Sequence, residues 1–444
     1  MKFTATSFFL LAAPLVSAGC LPPTTPPATT PPTTGSTKPV GWVYIKADVI
    51  HKGEHSTQCH NDKLHQTDKW QWNFYGENDR CKLYMYGDIE CTGTNTLKLY
   101  LTDSECSQSF PHGFDELEYA KARGSIGKTP RHDDEHGYMR ARIHDGVLYV
   151  INRGSDVWTR QIAILQQIHR AILTAPSPSE IPNIEFTILV NDHPGANVWS
   201  LARHSAPSAA NKEVNNTWLM PDYGFWSWPE PHIGSLDGVK EKVGKVEEGL
   251  TWDTKISKAV WRGSVHWNSG LRGQLMEQAK GKAWSDVQQL NWKKNALSME
   301  DFCKYKYLMY TEGVTYSGRL RYFQLCRSII ISPPLQWRTH LSPLLHPQGP
   351  NQNIVLVKED WSDLDDVIKH LEANPLEAER IANNTVNTFR AWYLTPAMEV
   401  CYWRKMFRAW AEVTDAVGDV KLGDRGTRWE SFVLMGRLEW DRTA

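Results

Sequence analysis

Three stretches of this 444-residue chain carry residue types that could do chemistry together. The first is Asp192, which follows the apolar run Phe186-Thr187-Ile188-Leu189-Val190 and Asn191, and precedes His193-Pro194-Gly195. A carboxylate at a strand end, aimed by a turn, can serve as a general base; a turn former or helix cap shows the same local pattern. The second is Trp261-Arg262-Gly263-Ser264, with Arg272 ten residues after Arg262. Glycine lets a backbone approach a phosphate, and Ser and Arg can bond to it, although most arginines are solvated surface groups. The third is Cys303-Lys304-Tyr305-Lys306-Tyr307, followed by Gly313-Val314-Thr315-Tyr316-Ser317-Gly318-Arg319-Leu320-Arg321. It reads as a Gly-containing loop opening a helix, where free amides and Arg319 would hold a diphosphate; an ordinary loop-to-helix junction reads the same way. A base, cationic diphosphate holders and a nucleobase pocket are what moving a sugar from a nucleoside diphosphate to a hydroxyl requires.

Such groups need a scaffold. Strands alternate with helices from Phe114 onward. Val147 to Val150, Phe186 to Val190, Ser328 to Ile331 and Asn353 to Val357 read as strands. Trp158, Ile162, Leu165 and Ile172 recur at helical spacing, Ser362 is placed to cap a helix beginning at Asp363, and a longer helix runs from about Leu376 to Trp392. This alternation predicts a parallel α/β architecture, in which ligands bind beyond the carboxyl ends of strands, where Asp192 sits. Before Phe114 the texture changes. Trp42 to Ile45, Cys81 to Tyr86 and Leu97 to Leu101 alternate and are rich in aromatic and β-branched residues, which predicts a small disulfide-stapled β domain over 40–111. That domain would bind carbohydrate through exposed aromatics or act as a structural cap.

Lys plus Arg (49) nearly balances Asp plus Glu (50), which argues against a nucleic-acid partner. Lys2, the apolar Phe8 to Val16 and the small residues Ser17-Ala18-Gly19 read as an export signal over 1–18, either cleaved or kept as an anchor that would tie the chain to a membrane. Residues 19–39 are a Pro/Thr-rich stalk. Export permits disulfides among the eight cysteines; Cys59, Cys81, Cys91 and Cys106 cluster, which predicts two bridges of open pairing. Asn215 and Asn383 head glycosylation sequons.

Taken together, the motifs resemble glycosyltransferase family 90, the Rumi-type protein O-glucosyltransferases and fungal capsule-associated proteins. Cys303 to Cys326 carries the strongest likeness: Cys-Lys-Tyr-Lys-Tyr, a Gly-Val turn, Ser-x-Arg and a second Cys at the family's separation. Asp192 falls on the family's Asp-Tyr-Pro motif, here Asp-His-Pro; Trp261 to Ser264 falls on its aromatic-Arg-Gly-Ser; Cys401-Tyr402-Trp403 falls on its late Cys-Tyr-Trp. The resemblance implies a two-lobed GT-B fold over 114–440 and an inverting transfer of glucose or xylose from a UDP-sugar to a hydroxyl of a protein or polysaccharide in the secretory pathway. It makes Asp192 the base and Arg272 and Arg319 the diphosphate holders. Gly263, Ser264, Val314, Thr315, Tyr316 and Ser317 would line the donor site, and Cys303 would pair with Cys326. No metal or other cofactor is implied. Val265 stands where the family often has Arg, and the chain ends Asp441-Arg442-Thr443-Ala444 rather than in a Lys-Asp-Glu-Leu-like signal, which leaves the setting open between the Golgi or endoplasmic reticulum lumen and secretion or the cell surface. A fungal, cell-surface setting fits the stalk.

Other candidates are weaker. Asp363-Leu364-Asp365 spells a metal-binding Asp-x-Asp but opens an amphipathic helix, where acids suit the dipole. His132-Asp133-Asp134-Glu135-His136 is ligand-rich and reads as a solvated loop. His51 and His55 lack the His-Glu-x-x-His spacing of a zinc protease. Trp226-Ser227-Trp228-Pro229-Glu230-Pro231 would wall a cleft or pack between lobes. From a different functional class, the chain would be a secreted glycan- or wall-binding protein with a non-catalytic transferase fold; Asp192, Arg272 and Arg319 occurring together argues against it.

Overall fold

The computed structural model describes strands at 41–44, 49–52, 60–62, 81–84, 88–91 and 96–98, and then residues 106–107, 109–110, 112–132, 135–153, 157–206, 216–228 and 233–435. The signal, the stalk, Asn215, Asp133-Asp134, Pro229 to Pro231 and everything after Met435 lie outside the described residues. Two compact units result, Met1–Leu99 and Tyr100–Ala444. In the first, two three-stranded antiparallel sheets form, and Cys81 stands opposite Cys91 in one of them.

The second unit holds two larger sheets. The first has six strands: β1 (Tyr138–His144), β2 (Val147–Arg153), β3 (Ile184–Leu189), β4 (Trp199–Ser200), β5 (Trp218–Leu219) and, late in the chain, Thr427–Arg428, in the spatial order β5-β4-β3-β1-β2 and then Thr427–Arg428. The parallel sheet expected throughout is thus only half right here. β1 runs antiparallel to both β2 and β3, while β3, β4 and β5 run parallel. The cause is local: Asp145 and Gly146 both adopt positive φ (49° and 70°), the tight hairpin turn that an Asp-Gly pair favours, so β2 folds straight back on β1.

The second sheet is fully parallel: β6 (Ile256–Gly263), β7 (Ser285–Gln289), β8 (Tyr305–Met309), β9 (Ile329–Ser332) and β10 (Val355–Leu356), ordered β7-β6-β8-β9-β10. β9 reads Ile-Ile-Ile-Ser and is buried along its whole length, as a strand covered on both faces must be. Parallel pairing puts every carboxyl end on one edge, so the loops after β6 and β8, neighbours in the sheet, emerge side by side.

The helices of this unit include α1 (Asp115–Lys121), α2 (Trp158–Leu173), α3 (Leu236–Glu247), α4 (Ser269–Gln278), α5 (Arg319–Phe323), α6 (Leu364–Ala373), α7 (Pro375–Thr385) and α8 (Pro396–Val413). On α2 the buried stripe is Ile164, Leu165, Ile168, Ala171 and Ile172, while Ile162 is exposed, against expectation. Ser362 does not cap α6; Asp363 occupies that position, and its side chain accepts instead from the Lys358 amide. The long helix expected to Trp392 forms as α7 continued by a π-helical segment, Val386–Tyr393.

After the second sheet is complete, α8 returns to the first. Tyr402 donates to Leu219 O (2.7 Å), Trp410 donates to Glu185 O (2.9 Å), and Trp403 donates to Gln167 Oε1 (3.3 Å). Trp199, stacked on Phe186 at 4.0 Å, packs against Trp403, Phe407 and Trp410. Cys401 is disulfide-bonded to Cys106. That bond corrects the expectation that Cys106 pairs within the N-terminal cluster, because Cys106 lies in the second unit, beside α8. Cys303 is bonded to Cys326, tying the entry of β8 to the end of the turn after α5.

Candidate active site

Tyr310 directly follows β8, and its hydroxyl shapes the loop beyond it. It accepts from the Ser317 amide (2.9 Å) and donates to Ser317 O (3.1 Å), while the Gly313 amide closes a tight turn on Thr315 O (2.8 Å). Burial pushes the phenol far up, so the hydroxyl keeps its proton and both bonds. Val314 is thereby left exposed at 40%, Thr315 is buried, and Tyr316 and Ser317 are half-buried. The helix this loop opens, α5, is only five residues long. Its amides are therefore a modest contribution, and the cationic side chains dominate.

Two arginines converge here. Arg272 rises from α4, donating from Nη1 to Ser264 O (2.7 Å) and from Nε to Glu312 O (3.0 Å). The Asn268 side-chain amide donates to Gly313 O (3.3 Å), which ties the loop after β6 to the loop after β8. A Cβ at Gly313 would sit 3.2 Å from Arg272 Nη2, close enough to push that guanidinium aside. Arg319 lies over Phe302 and Phe323, at 5.8 and 6.0 Å from the ring centroids. Burial, and then the neighbouring Arg272 charge, pull its pKa down to about 10. Arg272 is lowered too, by burial. Among the described residues neither guanidinium has a carboxylate partner. Two such cations, each lacking a carboxylate partner among the described residues, are the arrangement in which an anion would be stabilised.

Arg262 is different. Its guanidinium pairs with Asp286 (Nη2 to Oδ1, 2.9 Å) and bonds Asn295 O and Trp261 O, and Asp286 also accepts from Tyr305 (2.7 Å). The Arg of the Trp-Arg-Gly-Ser motif is thus a brace between β6 and β7. Gly263 is required by packing, since a Cβ would lie 2.6 Å from the Trp261 ring. Glu312 is a buried carboxyl that accepts from the Gln336 and Trp337 amides (3.0 and 2.9 Å); burial pushes its pKa up to about 7.

Asp192 lies just beyond the carboxyl end of β3, half exposed, and accepts from Arg160 Nη1 (3.0 Å). Arg160 also donates to Val190 O (3.0 Å) and lies over the Tyr223 ring (4.8 Å). Burial lowers its pKa, but the surrounding Tyr223, Asp192 and Tyr316 oxygens more than offset this and leave it raised. Tyr316 belongs to the loop after β8, so one guanidinium feels both the candidate base of the first sheet and a loop of the second. Tyr316 donates to Asp222 (3.3 Å), and Asp222 forms a buried ion pair with Arg321 while accepting from the Gly224 amide (2.7 Å). A second tie between the sheets is an antiparallel bridge of Arg203–His204 with Trp337–Arg338, where buried Glu116 on α1 receives both Arg203 and Arg338.

Asp192, Arg272, Arg319, Ser264 and Val314 to Ser317 therefore surround one region. Asn383 does not belong to it. It lies half-buried on α7, and Thr385 of its sequon is fully buried, donating to Asn353 O. Asp365 is engaged by Trp284, Lys369 and Lys282, which hold its carboxyl well below the usual range. His132 stacks on Tyr138 and pairs with Glu135. Trp226 lies under Arg170 (4.7 Å), and Trp228 meets edge-on (5.1 Å) the Tyr223 ring over which Arg160 lies. Arg160 and Asp222 were not singled out from sequence. For Arg160 a faint signal existed: a cation in the first turn of a helix opposes the macrodipole, which calls for a compensating partner.

The family model for Glycosyl transferase family 90 matches residues 102–424. Similar proteins include an O-glucosyltransferase rumi homolog of Aedes aegypti (26% identical over 260 residues, 54% of this chain and 63% of that protein). Protein O-glucosyltransferase 1 of Rattus norvegicus is 26% identical over 253 residues (52% and 63%), and O-glucosyltransferase rumi of Drosophila melanogaster is 24% identical over 263 residues (54% and 62%). The matches thus span about half of this chain and less than two thirds of each relative.

Proposed function

This chain belongs to glycosyltransferase family 90, and from that premise we propose that it is an inverting transferase of GT-B type, moving glucose or xylose from a UDP-sugar to a hydroxyl of a protein or polysaccharide. The observation that carries the reading is the uncompensated pair Arg272 and Arg319 at the carboxyl edge of a parallel sheet, where α/β folds take their ligands. Asp192 would remove the acceptor's proton as the hydroxyl oxygen attacks the anomeric carbon. The bond from that carbon to the diphosphate breaks on the opposite face, and the leaving oxygen's charge falls to the two arginines. Ser264, Gly263 and Val314 to Ser317 would line the donor, with the exposed Val314 offering apolar contact. No step needs a metal, because the arginines supply the positive charge. The site would work in the secretory pathway, consistent with the two disulfides; no helix among the described residues is long and apolar enough to cross a membrane.

The test is donor binding and UDP release by the purified protein with UDP-glucose, UDP-xylose, UDP-galactose and UDP-glucuronate, beside an Asp192→Asn variant. One donor should bind and turn over, and the variant should bind it equally while turning over at least a hundredfold more slowly. If no UDP-sugar binds, the transferase reading fails and a glycan-binding role takes its place.

A further inference from the structure

We propose that Arg160 is a positioning residue for the base, acting through Asp192 and not on the substrate; this rests on Asp192 being that base. Asp192 sits on a loop, half exposed, and a carboxylate there would sample several rotamers. Arg160 removes that freedom. Its Nη1 bonds Asp192 Oδ1 and Val190 O at 3.0 Å each, so the carboxylate is fixed relative to the end of β3. The other oxygen, Oδ2, has no hydrogen-bond partner among the described residues and is left to receive a proton. The guanidinium is itself held. The Tyr223 ring lies beneath it at 4.8 Å, and Tyr223 opens the turn begun by Asp222, whose side chain is committed to Gly224, Tyr316 and Arg321.

The backbone that carries Arg160 is also unusual. Val157, which precedes α2, adopts φ of 55°. A β-branched residue in the left-handed region is strained by about 1–3 kcal/mol, and such strain persists where surrounding contacts fix it. The Arg160 and Gln161 amides both close on Val157 O (3.1 and 3.2 Å), so this kink sets where the first turn of α2 begins and points Arg160 towards Asp192. Tyr316, in the loop that also carries Val314, Thr315 and Ser317, acts electrostatically on the same guanidinium and helps keep it charged. One guanidinium therefore faces the base from the first sheet and the donor loop from the second.

The test is a double-mutant cycle on UDP release from UDP-glucose and UDP-xylose with water as acceptor. Arg160→Gln should lower kcat at least tenfold and leave the donor KM and the UDP dissociation constant within twofold. Arg160→Lys, which keeps one charged donor, should recover part of the loss. In the Asp192→Asn background Arg160→Gln should cost nothing further, because a residue that acts only through Asp192 has nothing left to position. Unchanged UDP affinity verifies that each variant is folded at the site. The proposal falls if Arg160→Gln keeps full kcat while Asp192→Asn is slow, or if the two losses multiply. Full turnover by Asp192→Asn would instead remove the assignment of the base, and this proposal with it.

Discussion

Removing a charge the protein does not want should stabilise it, and Arg319 offers a clean case. Its pKa is drawn from an ordinary 12.5 to about 10 by burial and by Arg272. At neutral pH, below both values, the arginine is charged in the folded and unfolded chain alike, so the whole penalty of holding that charge in the fold is present; it would fade only as pH rises through 10. The difference corresponds to about 3 kcal/mol. Against it stand the contacts with Phe302 and Phe323, worth about 0.5–1 kcal/mol each. Arg319→Gln should therefore gain about 1–2 kcal/mol in the ligand-free protein, which for a unit of roughly 350 residues is about 1.5–3 °C in Tm. The same variant should lose the response to UDP. At a hundredfold excess over its dissociation constant, UDP stabilises wild type by about 2.7 kcal/mol, or about 4 °C, and the variant should move by less than about 1 °C at the same concentration. The assay is thermal unfolding with and without UDP. A ligand-free variant that melts below wild type, or a full UDP shift in the variant, would refute the claim that this guanidinium is kept for an anion.

The two disulfides should differ in weight. Cys106–Cys401 closes a separation of 295 residues and Cys303–Cys326 one of 23, so loop entropy assigns them about 5–6 and about 3 kcal/mol respectively; urea midpoints of the Cys106→Ala/Cys401→Ala and Cys303→Ala/Cys326→Ala pairs should fall in that order, and the reverse order would show that packing outweighs chain entropy. His340 is buried beside Arg321, and burial and that charge hold its pKa to about 3. Its neutral form is the folded one, so this group contributes fully above pH 6.5 and loses about 1.4 kcal/mol for each unit below it; His340→Leu should lose less stability than wild type between pH 6.5 and 5, and parallel Tm curves would disprove it. Gly313→Ala places a methyl 3.2 Å from Arg272 Nη2, and should weaken UDP binding three- to tenfold with little change in Tm. Gly224→Ala places one 2.6 Å from the Arg321 carbon, against a buried ion pair, and should instead destabilise the fold by about 2–4 kcal/mol, read by the same melting assay.

Much of this was legible along the chain, because it depends on neighbours in sequence. The apolar runs that became β3 and β9 announce themselves by length and composition, and α2 and α6 by spacing. In the Cys-Lys-Tyr-Lys-Tyr to Ser-Gly-Arg stretch, a strand runs into a loop that closes on itself because Tyr310 and Ser317, seven residues apart, bond each other. The hairpin of β1 and β2 was written in Asp145-Gly146 and could have been read from it. Where local pattern misled, the surroundings in space were the reason. Ile162 sits on the helical stripe yet stays exposed, because the covering elements lie against the other face of α2. Arg262 looked like a phosphate ligand until Asp286, on an adjacent strand, took it up.

Composition and periodicity by themselves gave a mixed α/β class, and the order of the motifs carried the resemblance to the family and a short list of candidate groups. Which of those groups meet was decided only by tertiary structure. Arg160 reaches Asp192 across 32 residues, Asp222 reaches Arg321 across 99, and Cys106 reaches Cys401 across 295. Separations of that size carry no periodic trace, since the chain between them is free to vary while the sheets hold the ends in place. A residue's charge and size are in its letter, but whether its charge is paired with a carboxylate, as for Arg262 and Arg321, or has no carboxylate partner among the described residues, as for Arg272 and Arg319, depends on what the folded sheets bring within about 3 Å of it.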